Sequence, residues 1–299
     1  MSNANPKHIV CAVEPNDEAR DVIQIANHIA QREGCELTLM HIVPPMWQPY
    51  ADLNFTPLIE AQVALEEDLL ATAREIFDEL LVAIGASNAS VIVKKGDPVS
   101  SITEHAQELG DSMIVMGVHN RRGLKRLLGS TAHGVLNGTD KPILLVHADD
   151  HETTQYDTVM VALDTSPAMP EVLAHARPYI DHANEFQLVT VVQSLATTMG
   201  SLQASAFSTS WPIPDMQADM VAAVKSTVTE AVSAADLPED CARILEGDPA
   251  HEICAAAKAM GAELIIMGAG QRNIVDRILL GSTAHGVLNN TPCDVYIAR

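Results

Sequence analysis

Aromatic residues are scarce in this chain, at 3 % of 299 residues. Cores built around aromatic rings are therefore not expected. The 47 % of hydrophobic residues must pack mainly as Val, Ile, Leu, Met and Ala, a composition that suits buried parallel strands covered by helices. Basic residues are few as well: 18 Lys and Arg stand against 39 Asp and Glu, for a net charge of -21. Nucleic acid and anionic lipid are held through Lys and Arg, so such a surface argues against both as partners. It favours solubility and says little about fold. No apolar window approaches the ~18 residues of a membrane span, so no membrane insertion is expected. Met1 to Lys7 is polar, with no apolar run of signal-peptide length behind it. The five cysteines, Cys11, Cys35, Cys241, Cys254 and Cys293, are odd in number and form no Cys-x-x-Cys. Free, mostly buried thiols in a reducing compartment are the expectation, and hence a cytoplasmic protein.

What the chain does have is a repeat. Leu-Leu-Gly-Ser-Thr-Ala-His-Gly-Val-Leu-Asn occupies 127–137 and recurs at 279–289, an offset of 279 − 127 = 152. Ile9–Glu14 parallels Val159–Asp164, Gly96-Asp97-Pro98 parallels Gly247-Asp248-Pro249, and Ser112–Gly117 parallels Leu264–Gly268, in the same order. Duplication of one unit explains this. Two domains are expected, 1–148 and 156–299, joined by the polar stretch Ala148–Gln155.

Each half alternates short apolar runs with amphipathic stretches. Strands are expected at 8–13, 37–43, 90–94, 112–117 and 143–147, then at 157–163, 186–192, 241–245, 262–267 and 294–298. Helices are expected near 17–33, 61–84, 98–109 and 130–138, then near 168–183, 217–235, 249–260 and 282–290. This order implies right-handed crossovers and, in each half, an open parallel five-stranded α/β sheet with helices on both faces. Two proline-bearing stretches interrupt it: 44–60 with Trp47 and Tyr50, and 194–216 with Trp211. They read either as surface excursions or as covers over a site.

Ligands of open parallel sheets bind outside the carboxyl ends of the strands, where strand order reverses. Four features of each half converge there. They are the acid after strand one (Glu14, Asp164), the end of strand two (Ile42, Val191), the glycine after strand four (Gly117, Gly268), and a Gly-Ser-Thr opening the last helix (129–131, 281–283). Such a helix start offers free N–H groups, hydroxyls and the positive end of the helix dipole, which suits phosphate. The plain alternative is an ordinary N-cap. Arg121, Arg122, Lys125 and Arg126 gather before Gly129, and Arg272 and Arg277 before Gly281. They favour an anion, or else form a solvated face paired with nearby acids.

These residues resemble the universal stress protein family, over the whole chain and once per half. Its nucleotide-binding members carry Gly-x2-Gly-x9-Gly-Ser/Thr after strand four. The second half reads Gly268-Ala-Gly270-Gln271, nine residues, then Gly281-Ser282-Thr283; the first reads Gly117-Val-His-Asn120, eight residues, then Gly129-Ser130-Thr131. Gln271 and Asn120 replace the pattern's second glycine, and Glu14 replaces the usual Asp.

The resemblance implies an adenine nucleotide (ATP, ADP or AMP), with magnesium as its companion ion. Asp164 and Val191 would hold base and ribose, and Gly268, Gly281, Ser282 and Thr283 the phosphates, with Ala162, Met267, Gly270 and Gln271 also in the nucleotide site. Ala12, Glu14, Ile42, Met116, Gly117, Asn120, Gly129, Ser130 and Thr131 are the weaker counterparts, so the second half is expected to bind better. The resemblance also implies an intramolecular pseudo-dimer, pairing Ile143–Val146 with Val295–Ala298, and leaves a further homodimer open.

Catalytic signatures are missing. There is no Gly-x-Ser-x-Gly elbow, no Walker loop, no HxGH or SGGxD, and no HxxxH, HExxH or Cys/His cluster around His133 or His285. His133 and His285, at matching helix positions, read as packing or surface residues. A non-enzymatic, stress-related nucleotide-binding protein with at most slow ATP hydrolysis is expected. The rival is a tandem relative that takes an apolar ligand or a protein partner instead.

Overall fold

The computed structural model describes residues 6–16, 18–45, 56–86, 88–118, 128–147, 154–194, 213–270 and 280–299. They form two compact units, the first ending at Gln155 and the second running on from Tyr156. In the first unit the strands are β1 (His8–Ala12), β2 (Glu36–Val43), β3 (Ser90–Lys95), β4 (Ser112–Val118) and β5 (Ile143–His147). Its helices are α1 (Ala19–Glu33), α2 (Thr56–Ile84), α3 (Pro98–Glu108) and α4 (Ser130–Gly138). In the second unit the strands are β6 (Thr158–Ala162), β7 (Glu185–Val192), β8 (Ala242–Glu246), β9 (Leu264–Gly268) and β10 (Asp294–Ala298). Its helices are α5 (Met169–Ile180), α6 (Ile213–Ala234), α7 (Pro249–Met260) and α8 (Ser282–Asn290).

Every strand pair within a unit is parallel, in the order β3-β2-β1-β4-β5 and, in the second, β8-β7-β6-β9-β10. The chain leaves β1 in one direction and returns to its other side at β4, so strand order reverses between those two. The same holds at β6 and β9. The central strands are apolar on both faces, as parallel strands between helix layers must be: Ile9, Val10, Cys11, Ile114 and Val115 are wholly buried, as are Val159, Met160, Val161, Ile265 and Ile266.

Two expectations need correction. The irregular stretches 44–60 and 194–216 are shorter than composition suggested, because α2 already starts at Thr56 and α6 at Ile213. Pro57 and Pro214 stand second in these helices, where the missing N–H costs nothing because the first turn has no intrahelical partner for it. Residues 46–55 and 195–212 lie outside the described residues. The second correction concerns the core. The second unit concentrates three of the chain's four tyrosines in one place, Tyr156, Tyr179 and Tyr296, with ring centroids 6.2 and 5.5 Å apart in succession. Tyr156 Oη donates to buried Asp294 Oδ2 at 2.6 Å, and Tyr296 Oη lies 3.1 Å from His175 Nδ1. Strand register places Leu144 at the position equivalent to Tyr296, and helix register places Ile25 and Ile29 at those of His175 and Tyr179. The first unit's core is aliphatic where the second unit's is aromatic and hydrogen-bonded.

Burial has a protonic consequence. Desolvation holds His175 below the usual histidine value of 6.5. It does the same for His41 and for His105. A histidine whose folded pKa is depressed binds fewer protons folded than unfolded. The stability it allows is therefore fully present above pH 6.5 and declines as pH falls from 6.5 to the folded value, by up to ~1.4 kcal/mol per pH unit per group. Denaturant unfolding should show stability dropping between pH 7.5 and 5.5. In His175→Gln, which keeps a polar partner for Tyr296 but does not titrate, the drop should be smaller; an unchanged acid limb would refute the assignment to His175.

The two Gly-Asp-Pro repeats are helix starts. Asp97 Oδ1 accepts from Ser100 N and Asp248 Oδ1 from His251 N, both at 2.9 Å, and proline follows at the first helical position. The repeated Gly-Ser-Thr helices pack against these helices through a glycine: a Cβ added to Gly134 would fall 2.5 Å from Val99 Cγ2, and one added to Gly286 would fall 2.6 Å from Ala250 Cβ. Fixing α4 on α3, and α8 on α7, in this way fixes where each Gly-Ser-Thr faces.

The cysteines are free. Burial pushes the Cys11 thiol up strongly and raises Cys254, only half-buried, to about 11. Neither is a ready thiolate near neutral pH.

Candidate functional site

A cavity of about 330 Å³ opens at the carboxyl end of the first unit's sheet, at the reversal between β1 and β4. From β1 and its exit it takes Ala12, Val13 and Glu14; from β2, Met40, His41 and Ile42; from β4, Met116, Gly117 and Val118. The start of α4 closes one side with Gly129, Ser130 and Thr131. Eight of the nine first-half residues named from sequence thus border one space. The ninth, Asn120, lies outside the described residues, as do Arg121, Arg122, Lys125 and Arg126.

Each wall has a local cause. Beyond β1 the chain turns at Glu14, whose carbonyl accepts from Asn16 N at 2.9 Å, and Asn16 Oδ1 accepts from Ala19 N at 3.1 Å to start α1. α1 crosses its sheet closely, and α5 does the same in the second unit: a Cβ on Gly117 would lie 3.2 Å from Val22 Cγ2, and one on Gly268 would lie 3.2 Å from Val172 Cγ2. These two glycines therefore serve helix packing as well as any ligand. At α4, Gly129 is the N-cap, and its carbonyl accepts from His133 N at 2.9 Å. A Cβ on Gly129 would meet nothing within 4 Å, and its N–H has no partner among the described residues. The first turn of α4 thus presents unpaired donors to the cavity beside hydroxyls of Ser130 and Thr131.

Sequence reading missed His41, Asn16 and Glu18, which also line the cavity. His41 Nδ1 lies 3.1 Å from the Val13 carbonyl and its ring meets Phe77 edge-on at 6.2 Å. Only a protonated Nδ1 can bond a carbonyl, so the neutral ring leaves Nε2 as an acceptor. The signal was available: His41 immediately precedes Ile42 at the strand end.

In the second unit Ala162 ends β6, Val191 lies near the end of β7, Met267 and Gly268 end β9, and Ser282 and Thr283 open α8. Asp164 Oδ1 accepts from Ser166 N at 3.0 Å in the turn after β6. Gly270 takes a φ of +97°, and Gly281 N donates to Ala269 O at 2.8 Å. Gln271, Arg272 and Arg277 lie outside the described residues. His133 and His285 are exposed on their helices. Among the described residues there is no group of three or more His, Cys, Asp or Glu that could hold a metal, and no helix long and apolar enough to cross a membrane.

Comparison with known proteins bears on both halves. The family model described as "Universal stress protein family" matches residues 5–147 and again 155–299. The chain is 30 % identical over 146 residues to "Universal stress protein A homolog 2" of Coxiella burnetii, covering 49 % of this chain and 97 % of that one. A universal stress protein of Mycolicibacterium smegmatis is 22 % identical over 308 residues, covering 100 % of this chain and 99 % of its own. The crystal structure of a universal stress protein from Archaeoglobus fulgidus shares the fold, with a TM-score of 0.69 at 18 % identity, covering 98 % of each chain.

Proposed function

The chain belongs to the universal stress protein family, as two such domains in tandem, and we propose that it is a regulatory protein that binds an adenine nucleotide in the cavity of its first half. The observation that carries this reading is the cavity at the β1/β4 reversal, with the open Gly129 and the first turn of α4 on its wall. Its size suits a nucleotide-sized ligand, being within the range typical of small-molecule pockets. The base and ribose would lie against Ala12, Glu14 and Ile42, with Met116 and Gly117 beneath. Glu14 and the neutral His41 both accept hydrogen bonds, which suits the hydroxyl and amino donors of a nucleoside. The phosphates would lie on Gly129, Ser130 and Thr131, where backbone N–H groups and the helix dipole favour negative charge without a described cation. Magnesium enters this reading only as the companion of the phosphates. Binding without turnover is the role, with at most slow hydrolysis of ATP.

A second reading has an observation of its own. Val22, Met40, Ile102 and Met116 give the cavity an apolar lining, which suits an uncharged apolar ligand. Mass spectrometry of whatever the purified protein releases on denaturation separates the two. Adenine nucleotide is the expected result, at about one per chain. Lipid, with no heat on titration with ATP, ADP or AMP, would overturn the nucleotide reading in favour of the second.

A further inference from the structure

The two helix starts are built alike and used differently. Gly129 and Gly281 share one backbone conformation, φ −61° and ψ 157° against φ −64° and ψ 157°. Each opens the same nine-residue helix pattern up to its last position. The difference lies in what the preceding strand does. β4 runs on to Val118, which stays in register with His147. β9 ends at Gly268, and Ala269 N still donates to Ala298 O at 3.1 Å before the chain leaves the sheet. The turn is made at Gly270, where φ is +97°. It delivers the Ala269 carbonyl to the Gly281 N–H at 2.8 Å. The approach is close enough that a Cβ on Gly270 would lie 2.9 Å from Gly281 Cα and 3.1 Å from its nitrogen.

We infer that the second half caps its own phosphate cradle through Ala269 and Gly270, so that the chain holds one nucleotide tightly, in its first half. The inference rests on the nucleotide reading above for its ligand, but not for the cap. An anion approaching α8 meets a carbonyl oxygen, the partially negative end of a peptide dipole, where at α4 it meets an N–H with no partner among the described residues. To reach the Gly281 N–H it must first break the bond to Ala269. This reverses the expectation drawn from the better match of the second half to the family's spacing.

The sequence cause is one residue. Gly270 corresponds to His119, counted from Gly268 and Gly117. A φ of +97° suits glycine and strains a residue with a Cβ. The self-cap is therefore available to the second half and disfavoured in the first by residue type.

The test uses the full chain. In the nucleotide-free protein, amide hydrogen exchange should be slower at Gly281 than at Gly129. Titration with ATP should give a stoichiometry near one, with any second site at least tenfold weaker, or about 1.4 kcal/mol. Gly270→Ala, which cannot comfortably keep φ +97° or the 2.9 Å approach, should speed exchange at Gly281 and strengthen the second site. Equal exchange at the two amides, or two equivalent sites in the unaltered chain, would overturn the proposal. A chain that takes no ATP would defeat the nucleotide reading, while the exchange contrast alone would still decide whether α8 is capped.

Discussion

Gly129→Asp is expected to weaken ATP binding by the first half at least ~100-fold, while leaving the fold as stable as before. The two parts of this result have separate causes. Gly129 has φ −61° and ψ 157°, a region open to every residue, and an added Cβ meets nothing within 4 Å. Asp is moreover a preferred N-cap, so α4 gains an acceptor for its own first turn. That same acceptor stands where the phosphates would lie. Two unit charges about 4 Å apart near a protein surface repel by ~4 kcal/mol, and discounting for salt and side-chain movement still leaves ~2.7 kcal/mol, a hundredfold in affinity. Gly129→Asn separates charge from bulk. It has the same shape without the charge and should lose much less. Calorimetry with thermal unfolding on both variants checks this. Unchanged affinity in a folded Gly129→Asp protein would mean that no anionic group sits at α4.

Gly286→Ala is expected to destabilise the second unit by ~1–3 kcal/mol, although alanine is the better helix former. Propensity alone would favour the change by up to ~1 kcal/mol. Packing opposes it, because the new methyl would fall 2.6 Å from the Ala250 Cβ. Neither atom can rotate away, so α7 and α8 must separate, at the usual cost of overpacking. Gly134→Ala should be milder, since its close neighbour is the Val99 Cγ2 at 2.5 Å, and a valine side chain can change rotamer. Adding Ala250→Gly should return most of what Gly286→Ala loses. Denaturant unfolding of the three variants reads the effect. A Gly286→Ala protein more stable than the parent would show that the helices yield freely.

These contacts also explain what could and could not be read from the chain. The apolar runs and their spacing were enough to place the ten strands and eight helices described above within a few residues, most plainly the central strands, whose burial on both faces leaves a run of Val, Ile, Leu and Met. The helix starts at Thr56 and Ile213 were hidden by prolines, which mark a loop and a first helical turn equally well. The aromatic-polar core of the second unit was hidden by averaging: a low overall fraction says nothing about three tyrosines meeting from three distant segments. At the site, the residues that gather around the first cavity were legible because strand ends and a glycine-led helix start are local patterns. The bond from Gly281 to Ala269 was not. It depends on the sign of one backbone angle, and the presence of Gly270 only permits that angle.

The unequal cores give the molecule an optical asymmetry. Tyr156, Tyr179 and Tyr296 are buried against one another in the second unit, whereas the first unit has Ile29 and Leu144 at the positions of Tyr179 and Tyr296. Fixed tyrosines in an asymmetric setting contribute near-ultraviolet circular dichroism that vanishes when packing loosens, while the far-ultraviolet signal counts helices everywhere. Comparing the two signals through one thermal scan would show whether the halves melt together or in turn. One unlabelled sample would then report on the second unit and on the whole chain at once.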